Sequence, residues 1–346
     1  MEKIIIGNNL LSKINQLFDF SRFSKIAILT DENIPKSLID KIENSLNREI
    51  VKIIIPSGEK EKNIETVKII WKKMFESGLD RKSLLINLGG GVVGDLGGFA
   101  ASTFMRGIEF LNIPTTLLAQ VDASVGGKTG IDFKEIKNAI GVFKKPTAVI
   151  IDITTLKTLP KRELIAAFAE IIKHSIIDSQ THFELVTAKR PEDFNQNELL
   201  KIIKKSVQLK SKIVEKDFKE LTGLRRTVNF GHTIGHAIET LCLRNQISLL
   251  HGEAVAIGMV AESKLAHLMG ILSEKDFFSI EKAIINAGLP TKINNLSIKD
   301  ILQIMSFDKK NINGEILFSL PERIGKVIPN VKIVDEKIKK IINHFN

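Results

Sequence analysis

The sequence predicts two domains: an α/β domain on a mainly parallel sheet over residues 1–158, and a mostly α-helical domain over residues 159–346. Three observations predict this. Short apolar runs alternate with helical stretches through the first half, as the crossover units of a parallel sheet require. From Arg162 to Gly288 the spacing becomes almost wholly helical. The chain, at 346 residues, also exceeds the roughly 100–200 residues that one domain ordinarily holds.

Taken in order, Ile4 to Gly7 is strand-like, and Lys25 to Leu29 is an apolar run closed by the polar Thr30-Asp31-Glu32-Asn33. Helical spacing follows over Pro35 to Leu46, then a strand over Val51 to Ile55 that Pro56-Ser57-Gly58 breaks. Ile64 to Glu76 is helical, and Leu84 to Leu88 is a strand running into glycines. Further strands are expected at Phe110 to Ile113 and Ala148 to Ile151. The character changes after Leu159-Pro160. Short strands are expected within Ile316 to Ile333, before a basic C-terminal helix.

Composition narrows the functional classes. Hydrophobic residues at 43% and charged residues at 26% are ordinary for a globular chain. The lone Cys242 excludes an internal disulfide and suits a reducing compartment. No apolar run reaches the roughly 18–20 residues of a membrane span, and Met1 leads directly into strand-like sequence, so a cytoplasmic location is expected. The net charge of +10 is spread along lysine-rich helix faces such as Leu199 to Lys216, without a basic block interleaved with aromatics. That pattern suits a solvated surface and anionic small molecules, and nucleic acid is not expected as a partner.

Asn87-Leu88-Gly89-Gly90-Gly91-Val92-Val93-Gly94-Asp95 follows a predicted strand and opens a predicted helix. Gly89, Gly91 and Gly94 match the G-x-G-x-x-G spacing, which lets a backbone approach a pyrophosphate at a helix N-terminus. Tight strand–helix turns use glycine anyway, so the match alone is weak. In the usual dinucleotide fold this loop follows the first strand, with an acidic residue about 20 positions later for the ribose. Here it follows roughly the third strand and the best acidic residue, Asp31, lies upstream. A Rossmann-like variant is therefore expected.

Three segments carry possible metal ligands. Ala169 to His174 places Glu170 in an apolar helix, Asn229 to His236 sets His232 and His236 four apart, and His251-Gly252-Glu253 opens another apolar helix. A lone histidine on an apolar face is more often a hydrogen-bonded core residue. Two histidines on one helical face, with a third nearby and a carboxylate, favour a divalent metal, because three protein ligands leave a position open for substrate. The residues alone leave the set open: His232 with His236 and Glu170 with His174 are both i, i+4 pairs.

The chain closely resembles the 3-dehydroquinate synthase family of sugar-phosphate cyclases. The resemblance spans nearly its whole length, through GGGVVGDLGGFAASTFMRG (89–107), IPTTLLAQVDASVGGKTGID (113–132), IKNAIGVFKKP (136–146), AFAEIIKH (167–174), GLRRTVNFGHTIGHAIE (223–239) and HGEAVAIGM (251–259). It implies zinc or cobalt ligation by Glu170, His232 and His251, and gives His236 proton transfer and substrate contact instead. NAD contacts are implied for Asp31, Glu32 and Asn33, for Glu59 and Lys62, for Gly90, Gly91, Val92 and Asp95, and for Thr115, Thr116 and Lys137. Thr155, Leu156, Lys157 and Thr158 complete that set. Substrate contacts are implied for Asp122, Lys128, Asn138, Lys173, Lys210, Arg225 and Asn229. Arg106, reaching a neighbouring subunit's site, and Lys309 or Lys310 are implied as phosphate partners, in a homodimer.

The implied substrate, 3-deoxy-D-arabino-heptulosonate 7-phosphate, carries a carboxylate and a phosphate, which lysines and arginines can hold. Taken singly, Lys62 and Lys310 read as surface lysines. Lys128 sits in the glycine-rich Val125 to Gly130 segment, read as a loop able to close over a ligand. The implied reaction is redox-neutral: transient oxidation at C5, phosphate elimination, re-reduction, ring opening and aldol closure to 3-dehydroquinate. His236 and Glu220 are the proton-transfer candidates, and the substrate phosphate can itself assist.

The chain departs from the family pattern in places. Ile136-Lys137-Asn138 stands for Gly-Lys-Asn, Lys144-Lys145-Pro146 for His-Gln-Pro, and Asp132 for the commoner Asn. One extra residue lies between Glu220 and Gly223, and the stretch between His236 and His251 is long enough to expect a surface insertion. The rival readings are another sugar-phosphate cyclase and a metal-dependent dehydrogenase of the glycerol-1-phosphate type, which would release NADH stoichiometrically.

Overall fold

A computed structural model describes residues 3–134, 136–294, 296–306 and 316–345. The chain divides into two compact units, Met1–Leu159 and Pro160–Asn346.

The first unit contains β1 (Lys3–Gly7), α1 (Ile14–Leu17), β2 (Ile26–Asp31), α2 (Lys36–Leu46), β3 (Val51–Ile55), α3 (Ile64–Glu76), β4 (Leu84–Gly89) and α4 (Gly91–Thr103). It continues through β5 (Glu109–Pro114), the hairpin β6 (Lys128–Phe133) and β7 (Ile136–Phe143), and β8 (Ala148–Asp152). Six strands form one sheet in the order β1-β8-β5-β4-β2-β3, every pairing parallel. Parallel strands are covered on both faces and so read as unbroken apolar runs; β4 and β8 are buried at every position. Two apolar clusters pack the two faces, one around Ile14, Ile28, Ile42, Ile86 and Ile150, the other around Leu29, Val67, Ile70, Leu85 and Phe99.

Without the edge strand β1, the order β3-β2-β4-β5-β8 is that of a doubly wound sheet whose direction of winding reverses between β2 and β4. Ligands of such sheets bind outside the carboxyl ends of the strands at that reversal. The glycine loop stands there, at the end of β4, and Asp31 ends the neighbouring β2. The late position of the loop along the chain therefore follows from strand order.

The hairpin corrects one expectation. Lys128-Thr129-Gly130 does not belong to a loop: it begins β6, with Lys128 paired to Phe143 and Gly130 to Gly141 in antiparallel register. The glycine pair is steric, since a Cβ on Gly130 would lie 2.6 Å from the Ile140 carbonyl oxygen. Only Gly126 (φ 118°) and Gly127 (φ 62°) of that segment turn through left-handed backbone.

The second unit is mostly helical: α5 (Lys161–Asp178), α6 (Gln180–Thr187), α7 (Gln196–Lys216), α8 (His232–Arg244), α9 (His251–Leu268), α10 (Glu274–Asn286), α11 (Ile298–Ser306) and α12 (Asp335–Phe345), with one antiparallel pair, β9 (Leu317–Arg323) and β10 (Lys326–Lys332). Helix α9 is central and nearly all buried, from Gly252 to Ala266. Residues 243–248, where a surface insertion is expected, are exposed. Among the described residues no helix is long and apolar enough to cross a membrane.

Candidate functional site

In the first unit, of the residues expected to hold a nucleotide, Asp31 to Asn33, Gly90 to Val92, Thr115, Thr116 and Thr155 to Thr158 lie at or after the carboxyl ends of β2, β4, β5 and β8, whereas Glu59 and Lys62 follow β3 and Lys137 lies in β7. Gly90 caps α4 without any side-chain hydrogen bond, leaving the first backbone N–H groups of the helix directed at a shallow cavity lined by Gly89, Gly90, Gly91 and Ala123. At Gly89 a side chain is excluded by contact, since a Cβ there would lie 2.6 Å from Val93 Cγ2. Thr115 Oγ1 is buried beside this loop with no hydrogen-bond partner, a donor waiting for an acceptor. Asp31 ends β2 with its carboxylate accepting the Asn33 N–H at 2.9 Å, and burial raises its pKa. Glu32 accepts from Ser57 N–H and Oγ at 3.3 and 3.2 Å. Thr155 to Thr158 lie in a short 3-10 turn after β8, with Thr155 Oγ1 accepting from Gln120 at 3.1 Å.

Lys62 is not a surface lysine; it is 5% exposed. Its Nζ lies 2.5 Å from Asp95 Oδ2 and donates to Asn138 Oδ1 at 2.5 Å. Asn138 N–H donates to Asp132 Oδ1 at 2.7 Å, and Asp132 N–H returns to the Lys62 carbonyl at 2.8 Å, closing a ring. Burial alone would lower Lys62, but Asp95, Glu59 and Asp132 hold it above the ordinary lysine value. Burial likewise pushes Asp95 up against the pull of Lys62. The unusual Asp132 thus supports Asn138 in its left-handed conformation (φ 51°). Lys137 lies 3.7 Å from Glu59.

Of the first unit's expected substrate residues, Asp122 sits in a single π turn and is half-buried, whereas Lys128 is exposed. Arg106 is exposed between Met105 and Gly107, all three with positive φ (48°, 72° and 110°). Left-handed backbone costs a non-glycine residue about 1–2 kcal/mol, so this turn is held against its own preference. Lys309 and Lys310 lie outside the described residues.

In the second unit, α5, α8 and α9 converge because their backbones touch. A Cβ on Gly258 would fall on the Gly231 carbonyl oxygen, and one on Gly252 would fall on the Ala166 carbonyl oxygen. Gly231 is also the N-cap of α8 at φ 80°, where L side chains are strained. The first residue of α8 is His232 and the first of α9 is His251, so each cap sets a histidine in place. Glu262, fully buried on α9, accepts the Gly231, Thr233 and Ile234 N–H groups at 2.6, 3.0 and 3.1 Å. Glu253 accepts the Leu250 N–H at 2.8 Å and both arms of Arg162 of α5, each at 2.8 Å. Burial would raise Glu253, but Arg162 and the Leu250 N–H hold it below its usual range.

The ring nitrogens follow from these contacts. His232 Nδ1 is 3.2 Å from the Phe230 carbonyl, which can only accept, so Nδ1 carries the hydrogen and Nε2 keeps its lone pair. His232 Nε2 lies 3.4 Å and His251 Nε2 3.9 Å from the same oxygen, Glu170 Oε1. That oxygen is buried and accepts no hydrogen bond. Ligands at about 2.1 Å around a tetrahedral zinc stand about 3.4 Å from one another, so the arrangement fits a divalent cation. His236 is close as well: one ligand atom each from His232, His236 and His251 all lie within 4.8 Å of one another. Geometry thus brings together Glu170, His232, His236 and His251 of the five groups that the sequence nominates.

The unit also buries three cations. Lys173 donates to Glu170 Oε2, and Lys173, Lys210 and Arg225 are 1%, 6% and 3% exposed. Asp217 fixes the Arg225 loop by accepting the Thr222 and Arg225 N–H groups at 3.1 and 3.0 Å, and Arg225 lies 3.6 Å from Glu220. Asn229 lines a small cavity with Arg226, Thr233, Ser319 and Asn330. His174 is joined to Ser206 through Nδ1 at 2.5 Å and takes a core position. Sequence reasoning gave no role to Glu239, Glu253 or Glu262. A carboxylate inside an apolar helical run, the signal that singles out Glu170, was present at Glu262 too.

Two family models match the chain, 3-dehydroquinate synthase N-terminal over residues 52–166 and 3-dehydroquinate synthase C-terminal over residues 167–311. A 3-dehydroquinate synthase of Ruminiclostridium cellulolyticum is 43% identical over 331 residues, 94% of this chain and 91% of the relative. One of Thermodesulfovibrio yellowstonii is 42% identical over 348 residues, 99% and 96% of the two chains. Among solved structures, 2-epi-5-epi-valiolone synthase from Streptomyces hygroscopicus subsp. jinggangensis, with NAD+ and Zn2+ bound, is 26% identical with a TM-score of 0.89, covering 100% of this chain and 96% of that one. A 2-deoxy-scyllo-inosose synthase complexed with carbaglucose-6-phosphate, NAD+ and Co2+ shares the fold at 23% identity and a TM-score of 0.89, covering 99% and 96%.

The Glu262 clamp generates a prediction. Glu262→Ala strands three buried N–H groups at about 1–3 kcal/mol each, so urea denaturation should show the second unit destabilised by several kcal/mol. Zinc affinity should fall with it. A loss below about 1 kcal/mol would mean the clamp does not hold the start of α8.

Proposed function

This chain belongs to the 3-dehydroquinate synthase family, and we infer that it converts 3-deoxy-D-arabino-heptulosonate 7-phosphate to 3-dehydroquinate and phosphate, a carbon–oxygen lyase reaction. NAD and a zinc or cobalt ion are its cofactors. One feature of the second unit carries this most directly: three histidines gathered within ligand distance of one another, two of them facing a buried Glu170 oxygen that accepts no hydrogen bond, with the buried Lys173 on the same carboxylate. A substrate bearing a carboxylate and a phosphate suits the lysines and arginine buried in this unit. A homodimer in the cytoplasm belongs to the same reading.

Glu170, His232 and His251 would hold the metal, and His236 is left to handle protons. NAD would rest on the glycine loop, with Asp31 toward the ribose and Thr115 toward a polar group. When bound, NAD supplies a reversible hydride acceptor and the divalent ion a Lewis acid at the oxygen undergoing oxidation.

What the side chains must do follows from the substrate. Oxidation of the C5 hydroxyl to a ketone makes the C6 proton acidic. Removal of that proton forms the C5–C6 enolate, which expels phosphate as the C7–O bond breaks. After the ketone is reduced again, the ring opens and the enolate carbon C7 attacks the C2 carbonyl to close the carbocycle. Lys173, Lys210, Arg225 and Asn229 orient the anion in a site they keep polar yet shielded from water. His236 moves protons, with Glu220 held against Arg225 as the second group able to do so. Arg106, Asp122, Lys128, Asn138 and Lys309 are proposed as further substrate contacts.

With NAD and zinc supplied, the purified chain should release phosphate from the heptulosonate with no net growth of NADH absorbance. Stoichiometric NADH would turn the reading toward a dehydrogenase, whose fold this chain also shares at a TM-score of 0.69 with a probable glycerol dehydrogenase of Sinorhizobium meliloti. His251→Ala should lose both metal and activity. His236→Ala should keep the metal while turnover falls about 10²–10⁴-fold. Equal metal loss in both would put His236 among the ligands.

A further inference from the structure

We propose that Glu239 is the positioning residue for His251: its carboxylate takes the Nδ1 hydrogen and thereby presents the Nε2 lone pair to the metal. Helix α8 carries His232, His236 and Glu239 at positions i, i+4 and i+7, hence on one face, and that face meets the start of α9. Glu239 Oε2 lies 3.2 Å from His251 Nδ1, and the opposite ring nitrogen lies 3.9 Å from Glu170 Oε1. Glu239 is only 8% exposed, and a buried carboxylate is retained at a cost unless something uses it.

The contrast with His232 sharpens the assignment. There a backbone carbonyl, Phe230 O, fixes the ring, and no substitution can remove it. His251 opens its helix with its ring 28% exposed, and the Leu250 carbonyl before it is engaged by the Ala254 N–H. The ring therefore depends on a side chain from another helix. A carboxylate partner fixes both tautomer and orientation and raises the basicity of the liganding nitrogen; removing such partners commonly costs about 10–100-fold in metal affinity.

This inference rests on the metal site proposed above, but part of it is testable without metal. In metal-free chain carrying 15N-labelled histidine, NMR at a pH where the ring is neutral should report His251 as the Nδ1–H tautomer. Glu239→Ala should lose that preference, whereas Glu239→Gln, whose amide oxygen still accepts, should keep it. Zinc affinity by chelator competition should fall about 10–100-fold in Glu239→Ala and by less in Glu239→Gln, and the visible spectrum of the Co2+ form should change in Glu239→Ala. An unchanged tautomer or an unchanged affinity in Glu239→Ala overturns the proposal. Should that variant fail to fold, Glu239→Gln with wild-type zinc affinity and an Nε2–H ring overturns it. Failure of the wild-type chain to bind zinc or cobalt would instead overturn the metal site, leaving the tautomer result standing.

Discussion

The second unit is organised by backbone contact between helices. Gly258 of α9 lies against the Gly231 carbonyl at the start of α8, and Gly252 of α9 lies against the Ala166 carbonyl of α5. Helices bearing ordinary side chains pack with axes about 8–10 Å apart. Without a Cβ at these contacts, the start of α8 lies against the middle of α9, and the start of α9 lies against α5 at Ala166, one turn before Glu170. His232 and His251 are first residues of their helices, so the packing that forms the core also gathers these two histidines. Glu262 and Glu253 then hold the two helix starts by accepting their N–H groups, and carboxylates there also complement the helix dipoles.

The first unit shows the same economy. Its sheet reverses winding between β2 and β4, which opens a crevice at the carboxyl ends of those strands. The loop filling the crevice has no side chains to obstruct an approaching phosphate. Beside it, Lys62, Asp95, Asp132 and Asn138 form a ring of contacts in which two acids face one cation, Asp95 being the partner nearest Lys62. The ring joins the start of α4 to the β6–β7 hairpin.

Most of the sheet was legible because buried parallel strands read as apolar runs bounded by turn residues. The hairpin was not: β7 is exposed along nearly its whole length, so no alternation marks it, and Gly126-Gly127 drew attention to a loop. Lys62 read as a surface lysine because its partners are distant in sequence; Asp95 and Asn138 lie 33 and 76 positions away. The ligand set was legible only as four histidines and a glutamate, since helical spacing pairs His232 with His236 as readily as Glu170 with His174. Resemblance to the family selected Glu170, His232 and His251. Packing cannot make that selection alone, because His236 also stands within reach.

The proposed site of the second unit holds one divalent ion between Glu170, His232 and His251. Anomalous diffraction at the zinc edge, from crystals grown with zinc, tests it most directly. A single peak about 2.0–2.2 Å from Glu170 Oε1, His232 Nε2 and His251 Nε2 is expected. A peak bonded to His236 in place of Glu170 would contradict it.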